Sequence, residues 1–167
     1  LTADDIESFG FEHVAIATGS FWRRDGIARF HLAPIVLEST SLYTPDDIMN
    51  GVEPAGRVLI YDDDHYYMGG VLAELLAKKG CAVTLVTPST KVSEWTTNTL
   101  EQAAIQKRTL ELGVTVRTTH ALMSSGGGEA VIACTYTGRE ERLAADAIVL
   151  VTARLPNDTL YLALKDS

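Results

Sequence analysis

The residues with the most capacity for chemistry lie together in one stretch, Asp62-Asp63-Asp64-His65-Tyr66-Tyr67-Met68-Gly69-Gly70. Carboxylates and imidazole are hard-to-borderline metal ligands, so a cation is the first chemistry to consider. Adjacent residues on one turn rarely converge on a single ion, and the glycine-bearing spacing of a calcium loop is not present. No metal site is expected. The second chemistry is phosphate binding, because the stretch follows an apolar run (Arg57 to Tyr61) and precedes apolar residues at helical spacing. A strand–turn–helix of this kind holds a dinucleotide pyrophosphate when the turn reads G-x-G-x-x-G. The glycines let the backbone approach the phosphates, and the helix N-terminus supplies positive dipole.

Asp62 and Asp64 stand where the first two glycines belong, and Gly69 takes the third position with two extra residues in the turn. Gly69 and Gly70 are therefore the cofactor-contacting candidates of this turn. Each exposed like-charge contact at about 4 Å costs on the order of 1–4 kcal/mol. The helix dipole returns only about 0.3–1 kcal/mol. Repulsion should win, and the carboxylates are expected to cap the helix N-terminus instead. The acid that would hold a ribose, about 20 residues further on, is also lacking: Val86-Thr87-Pro88-Ser89 offers no Asp, Glu or Arg, and Lys91 is expected in solvent.

The remaining candidates read more plainly. Cys81 and Cys134 have neither CxxC nor metal-ligand spacing and lie in apolar stretches, which predicts buried reduced thiols. His13, His31 and His120 show no triad or ligand pattern and are expected as surface or capping residues. No serine lies in G-x-S-x-G, so no hydrolase is indicated and no catalytic residue is expected. Tyr66 or Tyr67 either fills the vacated cleft or packs beneath the sheet. Trp95, in a polar loop, suits a domain or subunit contact, and Trp22 with Arg23-Arg24 suits a contact with a neighbouring domain.

These residues need elements to position them. His13 to Thr18 is predicted as a buried strand ending at Gly19, and Ser20 to Tyr43 as irregular. Thr44-Pro45-Asp46-Asp47 is a helix start, with Thr44 as N-cap and Pro45 at the first helical position, and Gly51 ends that helix. Arg57 to Tyr61, Val71 to Ala77 and Cys81 to Val86 form a strand–helix–strand unit closed by Lys78, Lys79 and Gly80. Thr99 to Leu112 is an amphipathic helix and Val114 to Arg117 a third strand, giving βαβαβ and a parallel sheet. The period then becomes two: Ala121 to Met123, a turn at Gly126 to Gly128, Val131 to Tyr136 and Leu143 predict an antiparallel meander. Ala147 to Thr152 closes as a strand buried on both faces. The expected class is α/β, a Rossmann-like parallel sheet with flanking helices plus a small antiparallel β-meander.

Ala17-Thr18-Gly19 resembles the ATG motif of flavoproteins with two dinucleotide-binding domains. Thr152-Ala153-Arg154-Leu155-Pro156-Asn157 resembles their T-x-GR-x-PN motif, with Ala153 where glycine is usual. The stretch Val58 to Ala77, with Trp22, Thr84 to Pro88 and Glu94 to Asn98, is similar to the trimethylamine, dimethylamine and histamine dehydrogenase family. The resemblance implies an inserted NAD(P)-type domain between two crossings to an FAD-type domain. Residues 1–19 would be the edge of that domain, 20–56 a crossing linker with a short helix, 57–147 the Rossmann-like domain and 148–167 the return crossing. It implies Thr18 and Gly19 beside the nucleotide of the neighbouring domain, and Arg154 and Pro156 at the return crossing, with Arg154 a further cofactor-binding candidate. It also implies a larger parent flavoprotein with an FMN-bearing TIM barrel, a 4Fe–4S cluster, and ADP or FAD. An electron-transfer flavoprotein is the implied acceptor, and the parent is expected to be homo-oligomeric.

A chain opening at Leu1 is expected to begin inside a longer polypeptide, and 167 residues with 46% hydrophobic content can build one ordinary core. A net charge of −8 argues against nucleic acid or an anionic membrane as partner. No apolar run approaches the roughly 18 residues of a membrane span, and the parent reads as cytoplasmic. Two functions stay open. The first is a degenerate, non-catalytic nucleotide fold serving as scaffold and interface, with no cofactor of its own. The alternative is a working NAD(P)H domain feeding a flavin, as in related dienoyl-CoA reductase-like enzymes.

Overall fold

The computed structural model describes residues 1–38 and 41–165. They form two compact units, Trp22–Ala153 and a smaller one made of Leu1–Phe21 with Arg154–Ser167.

The larger unit is built on a five-stranded, all-parallel sheet. Its spatial order is β3 (Leu42–Tyr43), β10 (Ala147–Val151), β4 (Arg57–Asp62), β5 (Ala82–Val86) and β6 (Thr115–Arg117). Strand alternation sorts the side chains to two cores. Val58 and Ile60 of β4, with Val149 and Val151 of β10, face one core. Helix α3 (Tyr67–Lys78) supplies Leu72, Ala73 and Leu76 there, and α4 (Gln102–Glu111) supplies Ile105. Leu59, Tyr61, Ile148 and Leu150 point the other way, onto Leu122 and Ile132 of the meander. A sheet covered on both faces needs the continuous apolar runs these strands carry. Each fully buried aliphatic side chain contributes roughly 1.5–3 kcal/mol. The last strand, β10, enters between β3 and β4, pairing Ile148 with Leu42 and Ala147 with Val58.

The expected βαβαβ unit is present as β4-α3-β5-α4-β6. Both helices stop on a glycine in the left-handed region. Gly80 (φ +88) donates its N–H to Ala77 O, and Cys81 donates to Leu76 O. Gly113 (φ +77) and Val114 repeat the pattern on Leu110 and Thr109. These are Schellman closures, which need a residue without Cβ strain at that step. The short α2 (Pro45–Met49) starts as expected: Asp47 Oδ2 accepts from the Thr44 N–H at 2.8 Å.

The meander is β7 (His120–Gly126), β8 (Glu129–Cys134) and β9 (Glu140–Ala144), antiparallel throughout. Gly127 and Gly128, both at positive φ, make its two-residue turn. The smaller unit holds α1 (Ala3–Glu7), α5 (Thr159–Leu164) and β11 (Arg154–Pro156). It also holds the start of β1 (Ser20–Trp22), the strand that pairs with β11.

Several expectations are corrected. His13 to Thr18 joins no ladder among the described residues, and most of it is exposed. An apolar run makes a strand only where a neighbour supplies hydrogen bonds. The stretch Ser20 to Tyr43 is not wholly irregular. It contains β1, β3 and β2 (Val36–Leu37), the last pairing in parallel with β7; pairs this short carry no readable period. Helix α4 begins at Gln102 rather than Thr99, because Glu94–Thr99 forms a 3-10 turn and Leu100 sits at φ +63. Both cysteines are free as expected, yet half-buried rather than buried.

Candidate functional site

Strand β4 ends inside the protein. Its last residue, Asp62, and the next, Asp63, are both buried, and the turn returns toward α3 through His65, which takes a left-handed backbone (φ +65). A non-glycine residue there is uncommon and strained, so the surroundings must hold it. They do so with main-chain hydrogen bonds. Asp62 Oδ1 accepts from the N–H of Asp64 (3.2 Å) and of His65 (3.1 Å). Asp63 and Asp64 donate their N–H to Val151 O, at 2.9 and 3.2 Å. His65 O accepts from the Trp95 N–H at 3.0 Å.

The two carboxylates face opposite sides of the sheet. Asp62 lies over α3, and a Cβ built on Gly69 would stand 2.2 Å from Asp62 Oδ2. Gly69 is thus glycine because a side chain of its own chain presses on it. Gly70 is equally confined, by Ile105 Cγ2 at 2.7 Å and Ser93 Oγ at 2.8 Å from its built Cβ. Asp63 faces the meander side, where Oδ2 accepts from the Phe30 N–H at 2.8 Å and Oδ1 lies 3.2 Å from His65 Nε2. Asp62 Oδ2 has no hydrogen-bond partner. Burial is the main cause that pushes the Asp62 carboxyl up to about 7. The Asp64 charge adds to the rise, while the His65 N–H and charge oppose it. Burial likewise raises the Tyr61 hydroxyl, with Asp63 and Asp62 adding to it.

The expected capping of α3 is therefore corrected. Its N-cap, Tyr66, carries no side-chain cap bond, because Asp62 spends its oxygen on the turn that precedes the helix. Among the described residues no group of three or more His, Cys, Asp or Glu is arranged to hold a metal ion.

A segment of the same unit crosses this turn. Besides the Phe30 N–H on Asp63, Arg29 lays its guanidinium 4.0 Å from the centre of the Trp95 ring, and His31 Nε2 lies 2.7 Å from Leu122 O. Tyr67 packs at the edge of the α3 core, its hydroxyl donating to Glu101 and lying 3.0 Å from Thr99 Oγ1, while Tyr66 is exposed and meets Tyr67 edge-on at 4.3 Å. Trp22, read as a contact for a neighbouring domain, is buried in the α3-side core, and its main-chain N–H donates to Asp46 Oδ2. Arg23 and Arg24 pair with Asp25 and Asp47.

Sequence reasoning missed Glu94. Where the ribose acid is lacking after β5, this carboxylate reaches back from the 3-10 turn and accepts from Ser89 Oγ, the Thr90 N–H (3.2 Å) and Thr90 Oγ1 (3.1 Å). The Ser89 hydroxyl is the main cause that holds its carboxyl below the usual range. Joined to β5 only through a loop, Glu94 gave no spacing signal. Lys91 is in solvent, as expected.

In the smaller unit Thr18 and Gly19 meet Asn157. Gly19 (φ +76) accepts the Asn157 N–H at 2.9 Å, and Thr18 Oγ1 donates to Asn157 O. Thr18, Gly19, Pro156 and Asn157 line an open cleft of about 410 Å³. Arg154 is exposed on β11, in the smaller unit but not in that lining. His13 is exposed, and His120 Nδ1 lies 2.7 Å from Thr118 O, in keeping with surface and capping roles.

A parallel sheet bracketed by these motifs defines an α/β domain of the dinucleotide-binding type. Residues 43–131 match the family model of the OYE-like second alpha/beta domain. Dimethylamine dehydrogenase from Hyphomicrobium sp. (strain x) is 33% identical over 99% of this chain and 25% of its own length. Histamine dehydrogenase from Rhizobium sp. 4-9 superposes with a TM-score of 0.94 at 50% identity, over 99% of this chain and 26% of that one. 6-Hydroxypseudooxynicotine amine oxidase from Pseudomonas geniculata N1 gives 0.93 at 40% identity, over 99% and 25%. The chain belongs to the OYE-like family that contains the dimethylamine and histamine dehydrogenases, and it spans about a quarter of the length of these relatives.

Among the described residues no helix is long and apolar enough to cross a membrane.

Proposed function

We propose that this chain is a scaffold and interface domain of an amine-dehydrogenase-like flavoprotein, with a nucleotide cleft that has lost its ligand. One observation carries the reading: the turn after β4 buries two carboxylates, Asp62 and Asp63, each accepting main-chain N–H groups of the protein itself. A pyrophosphate at that turn would meet carboxylate oxygens where a working site offers glycine amides. The residues present do not fit a pyridine nucleotide there.

Flavin and iron–sulfur chemistry would belong to other parts of the parent protein, since two cysteines cannot supply four ligands to a cluster. The parent would carry FMN, a 4Fe–4S cluster and ADP or FAD, act on an amine in the cytoplasm as a homo-oligomer, and pass electrons to an electron-transfer flavoprotein. The relatives' names support the amine-dehydrogenase part of that setting, and their lengths support a larger parent protein. Thr18, Gly19 and Arg154 would border the nucleotide of an adjoining FAD-type domain.

Calorimetric titration with NADH, NADPH and ADP tests the reading. No heat at millimolar NADH and NADPH is the expected result. Micromolar binding of either would make this an NAD(P)H entry domain and end the scaffold reading. Binding of ADP alone would leave the family standing and point to a structural nucleotide.

A further inference from the structure

The turn after β4 has the parts of an anion cradle. Consecutive N–H groups, those of Asp64 and His65, point at one oxygen, and His65 supplies the left-handed step that makes such backbone concave toward an anion. The first turn of the twelve-residue helix α3 brings Gly69 up against the same group without a Cβ. What lies in this cradle is the Asp62 carboxylate: one oxygen is on the two amides, and the other is fully buried, unpartnered and pressed on Gly69.

We infer that Asp62 is an internal ligand, a carboxylate standing in the oxyanion subsite where a nucleotide phosphate would otherwise bind. This rests on the reading of the cleft as vacated and gives its mechanism. Exclusion comes from occupancy, not only from charge, so removing the side chain should reopen the site to phosphate-type anions. The inference also explains why position 69 is glycine in a turn whose first two glycine positions hold aspartate. It separates the two aspartates as well, since Asp63 faces the opposite side of the sheet and holds Phe30.

The test compares the protein with its Asp62→Gly and Asp62→Asn variants, using inorganic pyrophosphate as probe and thermal unfolding as readout. Asn keeps the volume in the cradle and removes the charge; Gly removes both. Wild type and Asp62→Asn should not respond. Asp62→Gly should rise by about 3–6 °C at a pyrophosphate concentration roughly ten times its dissociation constant. A folded Asp62→Gly that stays silent beside an inert wild type overturns the inference and leaves the scaffold reading standing. An Asp62→Asn that responds as Asp62→Gly does overturns it too, because charge alone would then be the barrier. NADH binding by the wild type is the separate result that sinks the scaffold reading.

Should Asp62→Gly fail to fold, Asp62→Ser combined with Gly69→Ala decides the matter. The Tm loss from Gly69→Ala must fall by at least about half once the carboxylate is shortened, as expected for residues in contact. An unchanged loss means Asp62 does not fill the cradle.

Discussion

Replacing Asp62 by Asn should turn a pH-dependent protein into a flatter one. The Asp62 carboxyl titrates at about 7 in the folded protein, mainly because it is buried, against about 3.9 in an unfolded chain. Below about pH 4 both states hold the proton and the group is neutral to stability. Between about 4 and 7 the unfolded chain releases the proton while the native state keeps it, so stability falls as pH rises. Above about 7 the loss is complete, and the gap between the folded and unfolded values sets an upper figure on the order of 4 kcal/mol. The Asp62→Asn side chain does not titrate. Its amide oxygen can still accept from Asp64 and His65, but its NH2 faces the place where Oδ2 has no partner, which costs about 1 kcal/mol or more at any pH. The two proteins should therefore be close in stability at pH 5, and wild type should be the less stable at pH 8. At pH 8 the Tm gap should be about 4–12 °C in favour of Asp62→Asn. The carboxyls of Asp47 and Glu94 are lowered, so their contributions are lost only at pH values below this window. Differential scanning fluorimetry from pH 5 to 8 reads the curves. Parallel curves for the two proteins would refute the assignment of a raised, buried Asp62.

Three further outcomes follow from neighbouring contacts. Asp63→Ala strips the acceptor from the Phe30 N–H and should cost about 1–3 kcal/mol in urea unfolding; no loss would mean the 28–31 segment does not depend on Asp63. Gly70→Ala drives a methyl into Ile105 and Ser93 and should cost about 1–3 kcal/mol by the same assay. Arg29→Gln removes the cation from the half-exposed Trp95 and should cost under about 1 kcal/mol while changing Trp95 fluorescence; an unaltered emission spectrum would argue against the stacking.

Much of the fold was legible because it is written in local signals. Lys78-Lys79-Gly80 stops a helix by a rule that needs no tertiary partner, and Gly127-Gly128 specifies a two-residue turn. The apolar run Ala147 to Val151 can be satisfied only between two other strands. The failures share the opposite property. His13 to Thr18 reads as a strand, yet its ladder would have to come from elsewhere. Strands β2 and β3 exist only because β7 and β10 offer edges, and two residues cannot show a period. The site divides the same way. That Asp62 and Asp64 replace glycines was visible in the spacing, whereas Glu94 folding back on Ser89 and Phe30 donating to Asp63 depend on loops whose course no spacing encodes.

The burial of Asp62 and Asp63 also bears on why such a turn is stable. A solvent-facing acidic turn would be explained by repulsion of phosphate alone and would tolerate almost any polar replacement. Here the acids are internal and tied to main-chain amides: His65 N–H bonds to Asp62, Phe30 N–H bonds to Asp63, and Asp64 N–H is shared between Asp62 and Val151 O. A change to glycine would remove a carboxylate and leave the His65 or the Phe30 N–H without its acceptor, a loss of about 1–3 kcal/mol for a buried amide left unpaired. With total stabilities of about 5–15 kcal/mol, that cost sets a barrier against regaining the G-x-G-x-x-G turn one residue at a time. Asp62→Gly should open the anion subsite at that cost, and a stable, complete nucleotide cleft should further require Asp63 and the Phe30 segment to change.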